Sequence, residues 1–217
     1  MSTSHHTGHT SKHFTAGDTS GKAADPYTKA NTEDLNLSLK DKVEDLMGFC
    51  EGMKFGMMTT RQDQSGLLVS RCMGLAAKEN GVDLIFHTNT ETGKTDELLS
   101  DPHANMAFIK PSTGEWASIS GTASVTTDRD IVRKYYSPSL KAWIGDLGDG
   151  VHDGGPEDPR IAIIKIRAIS ATYALAKGSA VSRGIEIAKG ALTGHPAHTI
   201  KLREITEGEL EQYRAVN

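Results

Sequence analysis

Two kinds of segment are missing from this chain of 217 residues: long apolar runs and clusters of basic residues. No stretch approaches the roughly 20 apolar residues that a membrane-spanning helix needs, and the N-terminus lacks the apolar core of a signal peptide. With a formal net charge of −4, the chain also lacks the electrostatic footprint of a nucleic-acid-binding protein. These absences predict a cytoplasmic protein without membrane or nucleic-acid partners.

Cysteine is scarce as well. Cys50 and Cys72 are too few for a disulfide framework and match no metal-ligand spacing, so we expect reduced thiols. No nucleophile–base pair, metal-ligand cluster, Walker motif or dinucleotide fingerprint stands out in the sequence. The acidic loop over 145–159 lacks the order of oxygen ligands of an EF-hand, and we interpret it as a solvated loop.

The first 35 residues are rich in Ser, Thr, Gly, His and Lys. Such a segment buries too little apolar surface to offset its ordering entropy. We therefore predict a disordered tail over 1–35, an ordered domain over 36–176, and a C-terminal helix and polar tail over 177–217. A metal-binding tract is the alternative interpretation of the tail, and a solvated tail with scattered histidines is favoured. The histidines concerned are His5, His6, His9 and His13.

Apolar periodicity predicts the elements of the ordered domain. A helix begins after the N-cap residue Ser38 and stops near Gly52. Short turns between the next strands favour an antiparallel meander, and the lack of alternating helices argues against a parallel Rossmann-type sheet. Gly121, inside a long strand, predicts a bulge or a bend in a closing barrel. The predicted strands are 55–61, 67–73, 82–88, 105–110, 116–127, 161–167 and 171–175, the last two as a pair, and further helices are predicted at 92–100, from 127, at 179–192 and at 206–213.

The run from the strand LIFHTN into the helix GKTDELLS carries the most specific chemistry. The strand ends at Thr88 and Asn89, and Gly93 and Lys94 open a helix a few residues later. Backbone N–H groups, the positive end of a helix dipole and an ammonium group then meet in one place, which is how proteins hold a phosphate. A lysine at a helix start is unfavourable unless an anion lies nearby. The pattern predicts a small barrel that carries a phosphorylated cofactor.

Three stretches together resemble a known family: FHTNTETGKTDELLSDP, WASISGTASV, and SPSLKAWIGDLGDG followed by DPRIAIIKIRAISATYAL. Over about residues 38–175 the chain is similar to the FMN-binding split barrels of the pyridoxamine 5′-phosphate oxidase superfamily. Within it, the general stress protein 26 group, which includes blue-light-induced proteins of filamentous fungi, is the best match. The resemblance implies a mostly β fold of the α+β class, an antiparallel split β-barrel with flanking helices. It also implies FMN bound at a homodimer interface, with FAD as an alternative.

The resemblance assigns the phosphate of FMN to a pair of cations. Arg71 matches a strand arginine that pairs with the phosphate, which suits the guanidinium fork, and Lys94 matches a second phosphate partner. Thr92 would cap the helix or bond the phosphate. Gly93 stands where the oxidases usually have another arginine, so the site loses one cation and gains close backbone approach. Without the resemblance, Arg71 would be interpreted as a surface salt-bridge residue.

Other positions match the flavin contacts of the family. Trp116 and Ser118 replace a polar residue and an arginine that the oxidases use on FMN, which favours weaker flavin binding or acceptance of FAD. For Trp116, stacking on the flavin and packing in the core or a dimer both stay open. His87 is equally compatible with a half-buried structural histidine. The remaining implied contacts are Ser70, Cys72 and Met73 along the flavin, mainly through their backbone, and His87 and Thr88 under the phosphate and ribityl chain.

Four functional hypotheses follow. The first is a homodimeric FMN-binding protein with oxidoreductase activity, in which the flavin supplies the hydride chemistry. The second is a flavin-binding module that buffers or senses flavin under stress without turnover. A true pyridoxamine 5′-phosphate oxidase is disfavoured because the Arg-x-Trp signature of its C-terminal strand is not recognisable, and a barrel that has lost flavin is the last alternative. No side chain in the motifs is an obvious acid or base, so we assign no catalytic residue.

Overall fold

The structure, a computed structural model, describes residues 25–32 and 37–216. Seven strands and seven α-helices lie in these ranges, with a short 3₁₀ turn at Pro138–Leu140. The strands are β1 (Phe55–Arg61), β2 (Leu68–Glu79), β3 (Asp83–Asn89), β4 (His103–Lys110), β5 (Glu115–Thr126), β6 (Ile161–Ala176) and β7 (Ile200–Ile205). The helices are α1 (Pro26–Asn31), α2 (Leu39–Met53), α3 (Gly93–Ser100), α4 (Arg129–Tyr135), α5 (Lys141–Ile144), α6 (Ala180–Thr193) and α7 (Glu207–Arg214).

Six of the strands close into an antiparallel barrel. The sheet runs in the order β3-β2-β1-β4-β5-β6, and a further pairing of β3 with β6 joins its two ends. Closure satisfies the backbone hydrogen-bonding groups that edge strands would otherwise leave open. β1, β2 and β3 form the predicted antiparallel meander. The prediction of a mostly β, antiparallel barrel with flanking helices is therefore confirmed.

Strand β6 organises three other strands. Its first half pairs with β3 and its second half with β7, while β5 runs along its other edge. The prediction of two paired strands at 161–167 and 171–175 is wrong, because the chain does not turn between them and instead continues as one strand of 16 residues. A single long strand can therefore close the barrel and also carry an additional strand outside it.

A bulge lies where β5 crosses the middle of β6. The register shifts between Ser120 and Gly121, which leaves Ile169 of β6 without an opposite residue. A Cβ atom on Gly121 would lie 2.1 Å from the carbonyl oxygen of Arg167. The predicted bulge at Gly121 is confirmed, and only glycine permits the close approach of the two strands there.

Helix α2 packs its apolar face into the barrel core. Its start is capped as predicted, because Ser38 Oγ accepts a hydrogen bond from the Asp41 N–H at 3.1 Å. The helix runs one residue past Gly52 and ends before Lys54. Burial raises the pKa of the Cys50 thiol to about 12, which keeps it protonated and unreactive. The buried apolar face consists of Val43, Leu46, Met47 and Cys50.

Helix α4 covers the outside of the barrel where β3 meets β6. Val132 packs into a second apolar cluster formed by isoleucines of these two strands. Glu79, at the end of β2, accepts hydrogen bonds from Lys134, Lys165 and Tyr135, which lower its pKa to about 2. The ionised Glu79 carboxylate therefore ties α4 to the barrel.

The C-terminal segment is part of the fold rather than a polar tail. Strand β7 was not predicted, because the charged residues of IKLREI hide the apolar pattern of a strand. Helix α7 confirms the short helix predicted at 206–213, and Thr206 and Glu209 form a capping box at its start. Asp83, buried in β3, accepts a hydrogen bond from Arg214 Nη2 at 2.7 Å, which fixes α7 to the barrel.

Helix α6 confirms the helix predicted at 179–192. It ends at Gly194, which has a left-handed conformation with φ of 72°. Its apolar side chains Val181, Ile185 and Leu192 are exposed. No helix in the described part of the chain is long and apolar enough to cross a bilayer.

The predicted disordered tail is wrong for Pro26–Asn31, which form α1. Asp25 caps this helix, and the buried Asn31 side chain donates to the carbonyl of Ala197 at 3.1 Å and accepts from the N–H of Thr199 at 3.1 Å. The buried side-chain amide of Asn31 therefore holds α1 against the segment before β7, although α1 has little apolar surface. Residues 1–24 and 33–36, with the four tail histidines, lie outside the described residues.

We expect Gly121→Ala to destabilise the protein by about 3 kcal/mol, because the added methyl group would force β5 and β6 apart. Urea denaturation followed by circular dichroism measures the change. Gly184→Ala is the matched control, since nothing lies within 4 Å of a Cβ at this position in α6, and it should leave stability unchanged or raise it by up to about 1 kcal/mol. Equal midpoints for the Gly121→Ala variant and the wild type would contradict the packing argument.

Candidate functional site

Arg71 lies on the inner side of β2, next to the start of α3. Side chains alternate along a strand, and Met73, two residues further along, belongs to the buried core. Arg71 is paired in register with Met58, another core residue, on β1. Its side chain therefore points inward, where helix α3 faces it with Glu97.

Arg71, Thr60 and Glu97 form a closed set of hydrogen bonds. Arg71 donates from Nη1 to Thr60 Oγ1 and from Nη2 to Glu97 Oε1, both at 2.7 Å. Thr60 in turn donates to Glu97 Oε2 at 2.7 Å. Thr60 and Glu97 are buried, whereas the Arg71 side chain keeps 28% of its surface exposed. The guanidinium is thus fixed from the barrel side and open toward solvent.

Glu97 is the counter-charge of this site. Burial acts to raise its pKa, but hydrogen bonds from Thr60 and Arg71 and the charges of Arg71 and Lys94 outweigh burial and hold the pKa below its ordinary value. Glu97 is therefore ionised at neutral pH. Because it interacts with cations from β2 and from α3, it joins the two segments electrostatically.

Lys94 lies in the first turn of α3, close to Arg71. Burial lowers the pKa of the Lys94 ammonium, and the charge of Arg71 lowers it further, while Glu97 opposes both effects. Lys94 Nζ donates to Thr92 Oγ1 at 2.7 Å. The two cations that the sequence singled out therefore meet at one place and repel each other there.

The start of α3 is open. Thr92 occupies the N-cap position without a side-chain cap, and its hydroxyl instead donates to the carbonyl of Asn89 at 2.7 Å. Of the two expected roles of Thr92, capping is therefore wrong. Gly93 is exposed, with nothing within 4 Å of a Cβ built on it. The first N–H groups of a helix have no partner within the helix, so these amides face a site that a bulky ligand group can approach.

The donors at this site fit a phosphate group. A guanidinium carries five N–H donors and an ammonium three, and only two donors of Arg71 and one of Lys94 are used within the described structure. Arg71, Lys94 and Glu97 together carry one net positive charge. The helix dipole of α3 adds a partial positive charge at the same end. We call Arg71, Lys94, Glu97, Thr92 and Gly93 the phosphate cradle.

The structure does not bring His87 to the cradle. Its Nε2 lies 2.7 Å from the carbonyl oxygen of Tyr135 in α4, on the outside of the barrel. Burial lowers the pKa of His87, although the hydrogen bond to Tyr135 opposes it. These contacts are those of the half-buried structural histidine that the sequence left as an alternative. Thr88 is buried in the same strand and donates to the carbonyl of Asn89 at 3.3 Å.

The other predicted flavin contacts lie on two different faces of the barrel wall. Ser70 and Cys72 lie on the outer face of β2, beside Thr59 and Met57 of β1. Met73 points into the core, so only its backbone is available to a ligand. Trp116 and Ser118 lie on the outer face of β5, with β1 and β4 between them and β2.

We call this outer surface of the barrel the outer sheet face. It is formed by outward residues of β2, β1, β4 and β5, and its large apolar side chains include Phe55, Met57 and Ile109.

Sequence reasoning missed Thr60 and Glu97. Glu97 follows Lys94 by three residues, and this spacing places both on one helix face, so the signal was present. Thr60 becomes a neighbour of Arg71 only through the register of β1 and β2, which the sequence does not specify.

A cleft of about 630 Å³ adjoins the cradle. Thr60, which hydrogen-bonds to Arg71 and Glu97 of the cradle, is one of its lining residues. Its volume lies in the range of small-molecule sites. The cleft and the cradle are therefore neighbouring surfaces linked through Thr60.

We expect Glu97→Gln to lower stability at pH 7 by about 1–3 kcal/mol, because charged hydrogen bonds to Arg71 are lost. The pKa of Glu97 is lowered by folding, so its contribution is complete above the ordinary carboxyl pKa of about 4.3 and disappears as pH falls through the lower folded value. Urea denaturation from neutral to acidic pH measures the difference between variant and wild type. Glu44→Gln, at an exposed helical pair with Lys40, should show almost no difference. A stability difference between Glu97→Gln and the wild type that grows toward acidic pH would contradict an ionised, ion-paired Glu97.

Comparison with known proteins shows the family. The family model described as pyridoxamine 5′-phosphate oxidase like matches residues 41–197. Protein bli-3 of Neurospora crassa is 54% identical over 203 residues, which is 93% of this chain and 97% of that protein. Among solved structures, general stress protein 26 from Bacillus anthracis is 20% identical with a TM-score of 0.51, covering 61% of this chain and 92% of that one. A pyridoxamine 5′-phosphate oxidase-related, FMN binding protein from Nostoc punctiforme is 12% identical with a TM-score of 0.50, covering 64% and 85%. The chain therefore belongs to the pyridoxamine 5′-phosphate oxidase-like family.

Proposed function

We propose that this protein binds FMN and that the phosphate cradle holds the phosphate group of the flavin. The observation that carries the proposal is the meeting of Arg71 and Lys94 around Glu97 at the open start of α3. Glu97 neutralises only one of these two neighbouring cations, and the remaining positive charge at the positive end of a helix dipole is unfavourable. A phosphate would relieve that repulsion, and this gain would contribute directly to affinity.

FMN fits the cradle better than FAD. FMN ends in a phosphate monoester that is dianionic near neutral pH, because phosphate monoesters have a second pKa of about 6. The diphosphate of FAD is instead substituted at both ends, so it has no terminal phosphate. A terminal phosphate can approach the exposed Gly93 from solvent and receive donors from Arg71 and Lys94 together. The relative from Nostoc punctiforme is described as FMN binding, which supports the same choice.

A homodimer is part of the proposal. It is formed through the end of the outer sheet face that carries Phe55 and Ile109, so the cleft at the Arg61 end of the same face stays open. Phe55 is 59% exposed and Ile109 61% exposed on this face, and exposed apolar patches of this kind mark protein interfaces. Trp116 is partly exposed on the same face. Ser70 and Cys72 would then lie at the interface, so a flavin held by the cradle could extend between the two subunits.

An oxidoreductase is the first candidate for the role of the bound flavin. The open cleft beside the cradle favours it, because a second molecule could reach the neighbourhood of the flavin. A flavin-binding module without turnover is the alternative. Anaerobic addition of NADH, NADPH or pyridoxamine 5′-phosphate to the flavin-loaded protein divides the two, since flavin bleaching indicates an enzyme and unchanged absorbance with all three favours the module.

A true pyridoxamine 5′-phosphate oxidase remains disfavoured. The segment after β6 forms α6, β7 and α7, and the only tryptophans of the chain are Trp116 and Trp143. The Arg-x-Trp signature of the C-terminal strand of the oxidases is therefore missing. We therefore propose flavin-dependent redox chemistry without a specified substrate.

We expect the wild-type protein to bind FMN more tightly than riboflavin, which lacks the phosphate. Lys94→Ala should weaken FMN binding about tenfold and leave riboflavin binding nearly unchanged, because one charge-assisted contact is lost. Arg71→Ala combined with Lys94→Ala should remove the preference and yield a colourless preparation. Fluorescence titration with both flavins measures these affinities.

Lys189→Ala in α6 is the matched control, since it removes an exposed lysine far along the chain from the cradle. Thermal unfolding of each variant verifies that the barrel is intact. Equal loss of FMN and riboflavin binding in the folded Lys94→Ala variant would contradict a phosphate contact of Lys94.

We expect sedimentation velocity to give a dimer for the wild type and a monomer for Ile109→Lys, because a charged side chain would be buried at the outer sheet face. Leu192→Lys on α6, where the leucine is 88% exposed, controls for the effect of adding a surface lysine and should remain a dimer. A wild-type monomer that binds FMN with full affinity would refute a shared interface site.

A further inference from the structure

The cleft beside the cradle is shaped by the bulge in the barrel. Its walls come from the end of β1, the start of β2, the start of β4 and the bulged middle of β5 and β6. Bulges re-aim side chains and are frequent next to functional sites. Here the extra residue Ile169 lines the cleft, together with Leu68 and Ala104, and gives it apolar walls.

Asp101 fixes two potential anion-binding groups at the rim of this cleft. Its Oδ2 lies 3.2 Å from Nε of Arg61, and its Oδ1 lies 2.6 Å from Nδ1 of His103. Oδ1 also accepts the backbone N–H of His103 at 3.0 Å. The carboxylate therefore orients a guanidinium from β1 and an imidazole from β4 toward the same space.

The outward nitrogens of these two side chains have no partner within the described residues. In the described part of the chain, Arg61 has a partner only at Nε and His103 only at Nδ1. Both terminal nitrogens of Arg61 and Nε2 of His103 are therefore available. A guanidinium edge with two parallel N–H groups matches the two oxygens of a carboxylate.

The rim suits a small, singly charged group. Asp101 already neutralises Arg61, so the rim lacks the second cation of the cradle, and the edge of one guanidinium matches the two oxygens of one carboxylate. Asn105 also lines the cleft. It donates to Ser118 and Ser120 at 2.8 and 3.0 Å, which leaves its amide oxygen as an acceptor within the described structure.

We infer that this cleft binds a small organic monocarboxylate, whose carboxylate is held by the two terminal nitrogens of Arg61 and whose carbon chain lies against Leu68, Ala104 and Ile169. The inference does not depend on flavin binding. If flavin is bound in the cradle, the carboxylate ligand lies beside it, because Thr60 lines the cleft and accepts a hydrogen bond from Arg71 of the cradle.

Asp101 positions both side chains at the rim, because its two carboxylate oxygens lie against Arg61 and His103. The hydrogen bonds from His103 hold the pKa of Asp101 below its ordinary value, so Asp101 stays ionised at neutral pH. The charged groups that face His103 are Asp101 and Arg61, with Asp63 nearby through its contact with Ser100.

The experiment is an NMR titration of the full-length, ¹⁵N-labelled protein with butyrate, using butyramide as the uncharged ligand of the same shape. Saturable shifts are expected for the backbone amides of residues 101, 103–105 and 120–121 with butyrate only. Arg61→Gln should weaken binding about tenfold, and Arg167→Gln, at an exposed pair with Glu211, should leave it unchanged.

The Lys94→Ala variant separates the two proposals. Butyrate binding that persists in this variant, while FMN binding falls, assigns the ligand to the cleft. Butyrate shifts that are absent, that appear equally with butyramide, or that survive Arg61→Gln unchanged would overturn the inference. Shifts centred on Gly93 and Lys94 rather than on 101–105 would also overturn it, because the carboxylate would then be bound in the cradle.

Discussion

The ion pair between Arg71 and Glu97 is the contact on which the organisation of this site depends. It joins β2 of the barrel to α3, and Thr60 completes the hydrogen bonding on both sides. A buried carboxylate with a single partner would be costly, but Glu97 is surrounded by a hydroxyl and two cations. It therefore neutralises part of the charge of Arg71 and Lys94 while keeping the two close together. The excess of one positive charge is what makes the site suited to an anion.

The closed barrel makes this arrangement possible. Because β3 pairs with β6, helix α3, which follows β3, begins at a defined place. It lies beside the first half of β2, where Arg71 is located. The bulge at Gly121 lets β5 and β6 pass each other closely and turns Ile169 into the neighbouring cleft. Closure of the sheet thus positions the cradle, and the irregularity in the sheet shapes the cleft beside it.

Local sequence signals predicted the parts of the site that depend on neighbouring residues. The strand end, the glycine and the lysine at the helix start are adjacent in sequence, and helix α3 formed where they indicated. Contacts that depend on sheet register, such as that of Thr60 with Arg71, were not predictable. The same limit explains His87, whose partner in α4 is 48 residues away. It also explains β6, which was predicted as two strands, whereas the structure has one strand with a bulge at Ile169.

The most direct test is a crystal structure of the protein with FMN. The account predicts the phosphate within about 3 Å of donors from Arg71 and Lys94, next to the amides of Gly93 and Lys94, with the pair of Arg71 and Glu97 intact. A phosphate bound on another face of the barrel, with these two cations facing solvent, would contradict it.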